Sequence, residues 1–182
     1  MSALYGASMA GSSLLFEIQT GAHERLLVTP LKRPALLIGR ALKEVVPMGF
    51  QAALLVLVTL PFGFDPSLAG IVLGLAILAV FAIGLGALSH TLALVVGKND
   101  WVFWTIQQTV LFPVLILSGM LLATDTGPGW LRALAAADPL KYIVDAERAL
   151  FSGDLTLDAL YGALAALATA AVGLVVGTRT MR

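Results

Sequence analysis

The chain has 182 residues, 59% of them hydrophobic and 12% charged, with a formal net charge of zero and a mean hydropathy of +0.94. A water-soluble domain of this length needs more polar surface than that. Zero net charge offers nothing to a polyanion such as nucleic acid, and the absence of cysteine excludes disulfides, thiol catalysis and thiolate metal sites. The composition instead defines an all-α, polytopic membrane bundle forming a single transmembrane domain over residues 1–182. Apolar runs longer than about 18 residues recur, the length that crosses roughly 30 Å of hydrocarbon at about 1.5 Å per residue. They are too continuous for the alternating strands of a barrel.

Five runs read as spans, in chain order. Ser2 to Phe16 is uncharged and rich in small residues, among them Gly6, Ala7, Ala10 and Gly11. As a helix it reaches only about 23 Å, and without a preceding positive charge it makes a poor signal peptide. The expectation is therefore that an upstream span, and part of this one, lie outside the sequence, leaving five spans of a six-span fold. Residues 17–33, EIQTGAHERLLVTPLKR, are polar. Gly21 can end the first helix, His23 to Val28 can form one or two further turns, and Pro30 stops them. Glu24 and Arg25 then sit beside apolar Leu26 and Leu27, a short charged helix that suits a groove on a soluble partner.

The second span runs from Val45 to Phe64, with Arg40, Lys43 and Glu44 at its edge, and the third from Leu68 to Val96. Trp101 to Leu122 is the fourth, and Trp101, Phe103 and Trp104 at its start read as an aromatic belt. Residues 123–158 are too patterned to be plain loop. Trp130, Leu131 and Leu134 can share a helical face, and Pro139 interrupts. Ile143, Ala146 and Leu150 then fall on one face, with Lys141, Asp145 and Arg148 on another. Two short amphipathic helices fit, either lying at the outer membrane surface or simply packing on the span ends. Leu157 to Gly177 is the last span, followed by Arg179 and Arg182.

Orientation follows from the cations. With residues 17–44 in the cytoplasm and the spans alternating, Arg25, Lys32, Arg33, Arg40, Lys43, Lys98, Arg179 and Arg182 fall inside. Arg132, Lys141 and Arg148 fall outside, in a segment with a surplus of Asp and Glu. That division obeys the positive-inside bias and makes the C-terminus cytoplasmic.

Much chemistry is missing. The four well-defined spans carry no Asp, Glu, Lys or Arg away from their edges. An ion-coupled carrier usually keeps such groups near the midplane, so any uphill transport needs energy from outside the membrane. Gly97-Lys98 is followed by Asn99 rather than Ser or Thr, so it is no phosphate loop, and His23-Glu24 lacks the second histidine of a zinc protease. Ser89 and His90 point about 100° apart on one helix and cannot form a nucleophile–base pair. His90 is expected near the cytoplasmic interface or on a pathway. Gln107 and Gln108 either bond between helices or line a translocation path, to which Ser118 is a further candidate.

Two motif sets resemble a known family. The first is Glu17-x-x-x-Gly21-x-x-Glu24-x-Leu26-x-x-Thr29-Pro30. The second is Phe112-Pro113, Leu117-Ser118-Gly119, Pro128-Gly129-Trp130-Leu131, then Asp138-Pro139-Leu140-Lys141-Tyr142-Ile143-Val144-Asp145-Ala146-x-Arg148. Together they resemble type-2 ABC transporter permeases, the class that includes daunorubicin-resistance, Nod-factor and polysaccharide exporters. Asp138 stands where that family often has Asn, and Ala123 where it often has Pro. The resemblance implies a homo- or heterodimer of six-span subunits in the cell membrane. Each would touch an ATP-hydrolysing subunit through Glu17, Gly21, His23, Glu24, Arg25, Leu26, Thr29 and Pro30. ATP and Mg would bind that partner, leaving no cofactor and no catalytic residue in this chain. Trp130, Pro139, Tyr142, Asp145 and Arg148 would belong to external re-entrant helices. The implied function is export of a drug, lipid or other amphiphile; an ion-coupled secondary carrier and a non-transporting membrane scaffold are the alternatives.

Overall fold

The computed structural model describes residues 2–21, 33–59, 67–97, 99–121, 127–152 and 157–180. Among them every element is an α-helix: α1 (Ser2–Gln19), α2 (Arg33–Thr59), α3 (Leu68–Val96), α4 (Asp100–Leu117), α5 (Gly129–Ala136), α6 (Pro139–Phe151) and α7 (Leu157–Thr180). The expected helical membrane bundle is what forms. Five long helices lie on the five apolar runs, and α5 and α6 lie where two short amphipathic helices were expected. By length and composition α3, α4 and α7 can each cross a membrane, whereas the apolar part of α2 is the shorter stretch Val45–Val58. α2 differs most from expectation. It begins at Arg33, so Arg40, Lys43 and Glu44 lie inside a helix rather than ahead of one. Their charges break the hydropathy signal but not the backbone ladder, since Arg, Lys and Glu are all good helix formers.

Local chemistry sets several ends. The Ser67 hydroxyl accepts the Gly70 N–H at 3.0 Å and caps α3. Gly97 closes α3 with φ 65°, and Gly21 follows α1 with φ 70°, left-handed conformations that favour glycine. Gly21 thus ends the first helix as its position predicts.

α3 is the element on which the packing converges: α1, α2, α4, α6 and α7 all touch it. It is apolar around its whole circumference, as suits a helix that meets neighbours on one side and lipid on the other. α1 turns Leu4, Ala7, Ala10, Gly11, Leu14 and Leu15 inward, an i, i+3, i+4 stripe. α7 lays down Gly162, Ala166, Ala170, Gly173 and Gly177. These small residues let backbones meet. A Cβ on Gly84 would stand 2.6 Å from Ala170 Cα, and one on Gly173 would overlap the Gly84 carbonyl. Between apolar helices in lipid, such close approach supplies van der Waals contact that the hydrophobic effect does not.

This crossing yields a direct expectation. Gly173→Leu and Gly84→Leu should each lower stability by about 1–3 kcal/mol or more, because overpacking must push two backbones apart. Gly6→Leu, where a side chain meets open space, should change little. Thermal unfolding of the three variants in one detergent measures the difference.

Candidate functional site

The sequence candidates separate to the two ends of α3. Near its start, Gly70 faces the Leu150 carbonyl of α6. Near its end, Ala93 packs with Leu14 and Leu15 of α1 and Phe103 of α4. The helical rise between those two positions is about 35 Å. The C-terminal turns of α1 and the short helices α5 and α6 therefore lie at opposite ends of the bundle.

At the α1 end, Phe103 is the anchor. It is 0% exposed, whereas Trp101 is 77% exposed and Trp104 37%. The aromatic belt expected of these three is thus confined to the tryptophans, because Phe103 starts the buried stripe Phe103, Gln107, Leu111, Leu115. The ring meets Trp104 edge-on at 5.5 Å. The Gln19 amide donates to the Asp100 carboxylate, a second tie between the last turn of α1 and the first of α4. Glu17 is half-buried one turn before Gly21. His23, Glu24, Arg25, Leu26, Thr29 and Pro30 lie outside the described residues.

The path candidates divide. Gln107 is buried and its Oε1 has no hydrogen-bond partner. Gln108, about 100° further round the helix, is exposed beside Thr105 and Thr109. Ser118 is buried and its hydroxyl donates to the Leu115 carbonyl at 2.9 Å, so it caps its own helix end. His90, expected near the cytoplasmic interface or on a pathway, lies toward the end of α3 and turns inward. It is 3% exposed, with Nδ1 2.6 Å from the Gly86 carbonyl. Beside it the Ser89 hydroxyl donates to the Ser8 carbonyl and accepts the Gly11 N–H at 3.0 Å, fastening α1 to α3.

At the other end, Asp138 caps α6 through Oδ1, which accepts the Leu140 N–H at 3.0 Å, and Pro139 follows as the first helical residue. Asn would cap equally well, so the difference from the family pattern leaves this turn intact. Burial raises the Asp138 pKa, partly opposed by that hydrogen bond. The Tyr142 hydroxyl donates to the Ala136 carbonyl of α5 at 2.8 Å, and its ring lies 6.5 Å from that of Tyr161 on α7. Arg148 Nη2 donates to the Gly119 carbonyl at 3.0 Å, tying α6 to the turn after α4, while Nη1 lies 3.7 Å from Asp145. Trp130 is 66% exposed, as an outward apolar face requires. Ile143, Ala146 and Leu150 are buried as their spacing predicts.

Glu147 escaped the sequence reading. It sits on the inward stripe between Ile143 and Leu150, and both carboxylate oxygens are buried without a hydrogen bond. Burial pushes its pKa up to about 7. The signal was available: an ionisable residue at a core position of an amphipathic helix.

Long apolar helices around a glycine-lined central span, with two short helices seated at one end, define a polytopic membrane protein. No cluster of metal ligands occurs among the described residues. The chain matches the ABC-2 type transporter family over residues 1–152 and belongs to it. Over 145 residues it is 30% identical to the daunorubicin resistance ABC transporter permease protein DrrB1 of Streptomyces coeruleorubidus, covering 79% of this chain and 51% of that one. Over 155 residues it is 26% identical to the probable multidrug ABC transporter permease YbhR of Escherichia coli K12, covering 84% and 41%. The chain thus spans about half, or less, of the length of these relatives. Both relatives carry permease names. No solved structure matches it.

The two α4 aromatics separate by burial. Phe103→Ala should cost about 3–5 kcal/mol, the usual range for emptying a buried aromatic site. Trp101→Ala should stay within about 0.5 kcal/mol, as an exposed substitution does. Unfolding midpoints in detergent read both.

Proposed function

We propose that this chain forms the membrane-spanning part of an ATP-driven exporter that moves a drug, lipid or other amphiphile out of the cell. The observation that carries the reading is the ABC-2 family match over residues 1–152. The relatives' names, daunorubicin resistance and multidrug, supply the cargo class. A separate ATP-binding subunit, holding the ATP and Mg, docks on residues 17–33 in the cytoplasm. A second permease subunit completes the pathway, the C-terminus is cytoplasmic, and residues 123–158 face outward.

The physical support is the separation of the two ends. Docking at one end and α5–α6 at the other, about 35 Å apart along α3, is the layout that a partner-driven opening needs. Phe103 and the Gln19–Asp100 contact would carry a movement of the docking segment into α4. On α4 the exposed stripe of Thr105, Gln108 and Thr109 offers polar contacts to cargo, while Gln107 is turned to the bundle side. Closure of the ATPases then shifts the permease between inward- and outward-facing states.

Reversing charge in the docking segment tests the coupling. Glu24→Lys or Arg25→Glu, reconstituted with the ATP-binding subunit, should reduce ATP-dependent export by about tenfold or more, a loss of roughly 1.4 kcal/mol of coupling. Insertion and expression should stay normal. Export unchanged in both variants would count decisively against docking there.

Orientation has its own test. Cysteines at exposed Ala137 and at Asp145 should react with an impermeant reagent added outside intact cells, against a background free of native cysteine. Reaction only after permeabilisation reverses the proposed topology.

A further inference from the structure

α6 is seated against the bundle at glycines. A Cβ on Gly70 would overlap the Leu150 carbonyl, one on Gly162 of α7 would overlap the Ala146 methyl, and one on Gly74 would lie 2.6 Å from Glu147 Oε2. The α6 backbone therefore approaches α3 and α7 as closely as helices can, and the Glu147 carboxyl is pressed onto α3 at Gly74. Both of its oxygens are buried and neither has a hydrogen-bond donor. Leu140, Ile143, Val144 and Leu150 make the rest of that face apolar.

An ionised carboxylate in such a place has lost its hydration and found nothing in exchange, so the neutral acid is the form that fits. The surroundings offer no countercharge among the described residues. On α6 itself the Arg148 guanidinium is engaged by the Gly119 carbonyl and Asp145, and Lys141 and Asp145 lie on other faces. Tyr142 lies about 140° round the helix from Glu147, against Tyr161 of α7. The remaining titratable residue near the start of α7, Asp158, is exposed, as is Arg132 of α5. On α3 the one titratable residue is His90, some 24 Å further along. α4 has only Asp100, at its far end, and α1 brings Leu4 to this core while its Tyr5 is turned outward.

We propose that Glu147 is a protonation latch: its neutral carboxyl seats α6 against α3 at Gly74, and loss of that proton releases α6 from the seat. The ligand is a single proton, taken up by one carboxylate oxygen on seating and returned to water on release. No cavity for a larger ligand separates Oε2 from the α3 backbone. The sign follows from burial. Seated, the carboxyl titrates at about 7; released into water, it returns to the ordinary value of 4.5. Between those values the seated form holds a proton that the released form lacks. Raising the pH across that window therefore disfavours the seat, by at most tenfold per pH unit. Below 4.5 and above about 7 both forms carry the same charge and the dependence vanishes. The latch stands on packing alone. That the water receiving the proton lies outside the cell rests on the orientation proposed above.

Two measurements on the full chain in nanodiscs test it. Infrared spectroscopy should show a protonated carboxyl that is lost near pH 7 and is missing in Glu147→Gln. Spin labels on Ser152→Cys, at the exposed end of α6, and Val95→Cys, at the far exposed end of α3, should report a shift in distance as pH rises from 5 to 8. In Glu147→Gln, which cannot ionise, the distance should stay at its low-pH value throughout. A carboxyl that titrates in the ordinary glutamate range overturns the latch. So does a native distance that does not change with pH, or a pH-dependent shift that persists in Glu147→Gln. Setting the pH on one side of sealed vesicles then asks a separate question. A response to the inner side alone leaves the latch standing and reverses the topology.

Discussion

The fold depends on backbone contact along α3. Helices that share a lipid solvent gain nothing from hiding leucine from water, so their association rests on close packing. Glycine at 70, 74 and 84 of α3, and at 162 and 173 of α7, removes the side chains that would hold the axes apart. Ser89 adds polar ties to α1 at the same level of approach. Larger residues then fill the gaps beside each crossing: Ile77 and Phe81 on α3, Leu111 and Leu115 on α4, and Leu140, Ile143 and Leu150 on α6.

α4 is held differently. Its inward stripe is one residue wide, and Gln107 interrupts it with an unpartnered amide oxygen. The helix is fastened at its ends instead, by Phe103 and the Gln19–Asp100 contact at one and by the Arg148 contact with Gly119 at the other. Pro113 removes a further backbone hydrogen bond from its second half. Between these ends Leu111 and Leu115 are its contribution to the main core. The pins lead to the last turn of α1 at one end and to the helix α6 that carries Glu147 at the other.

Much of this was legible in the sequence, for identifiable reasons. Hydropathy marks helices wherever a run is long and uniform, which is why Leu68–Val96 matches α3 residue for residue. Local chemistry is just as readable. Gly21 ends a helix because its backbone enters the left-handed region, and Asp138-Pro139 begins one because a carboxylate caps and a proline needs no donor. The amphipathic spacing of Ile143, Ala146 and Leu150 correctly named a buried face. Hydropathy failed at the start of α2, where Arg40, Lys43 and Glu44 look like a boundary although all three favour helix. Residue type misled at Phe103, because an aromatic near a span end is as compatible with the bundle side as with the interface.

The sequence by itself determined the class of protein, the order and nature of its elements, and the family to which its motifs belong. These follow from solvent and local geometry: apolar runs long enough to cross lipid, and caps and breakers acting within a few residues. The tertiary structure decided which side of the uniformly apolar helices faces the bundle, and which polar groups on any helix find a partner there. Glu147 and Arg148 are neighbours in the chain. One is pressed without a partner against Gly74 and the other reaches the Gly119 carbonyl. The spacing of α6 marks which of the two turns inward, but what each then meets, Gly74 of α3 or the turn after α4, is a packing outcome that no single helix encodes.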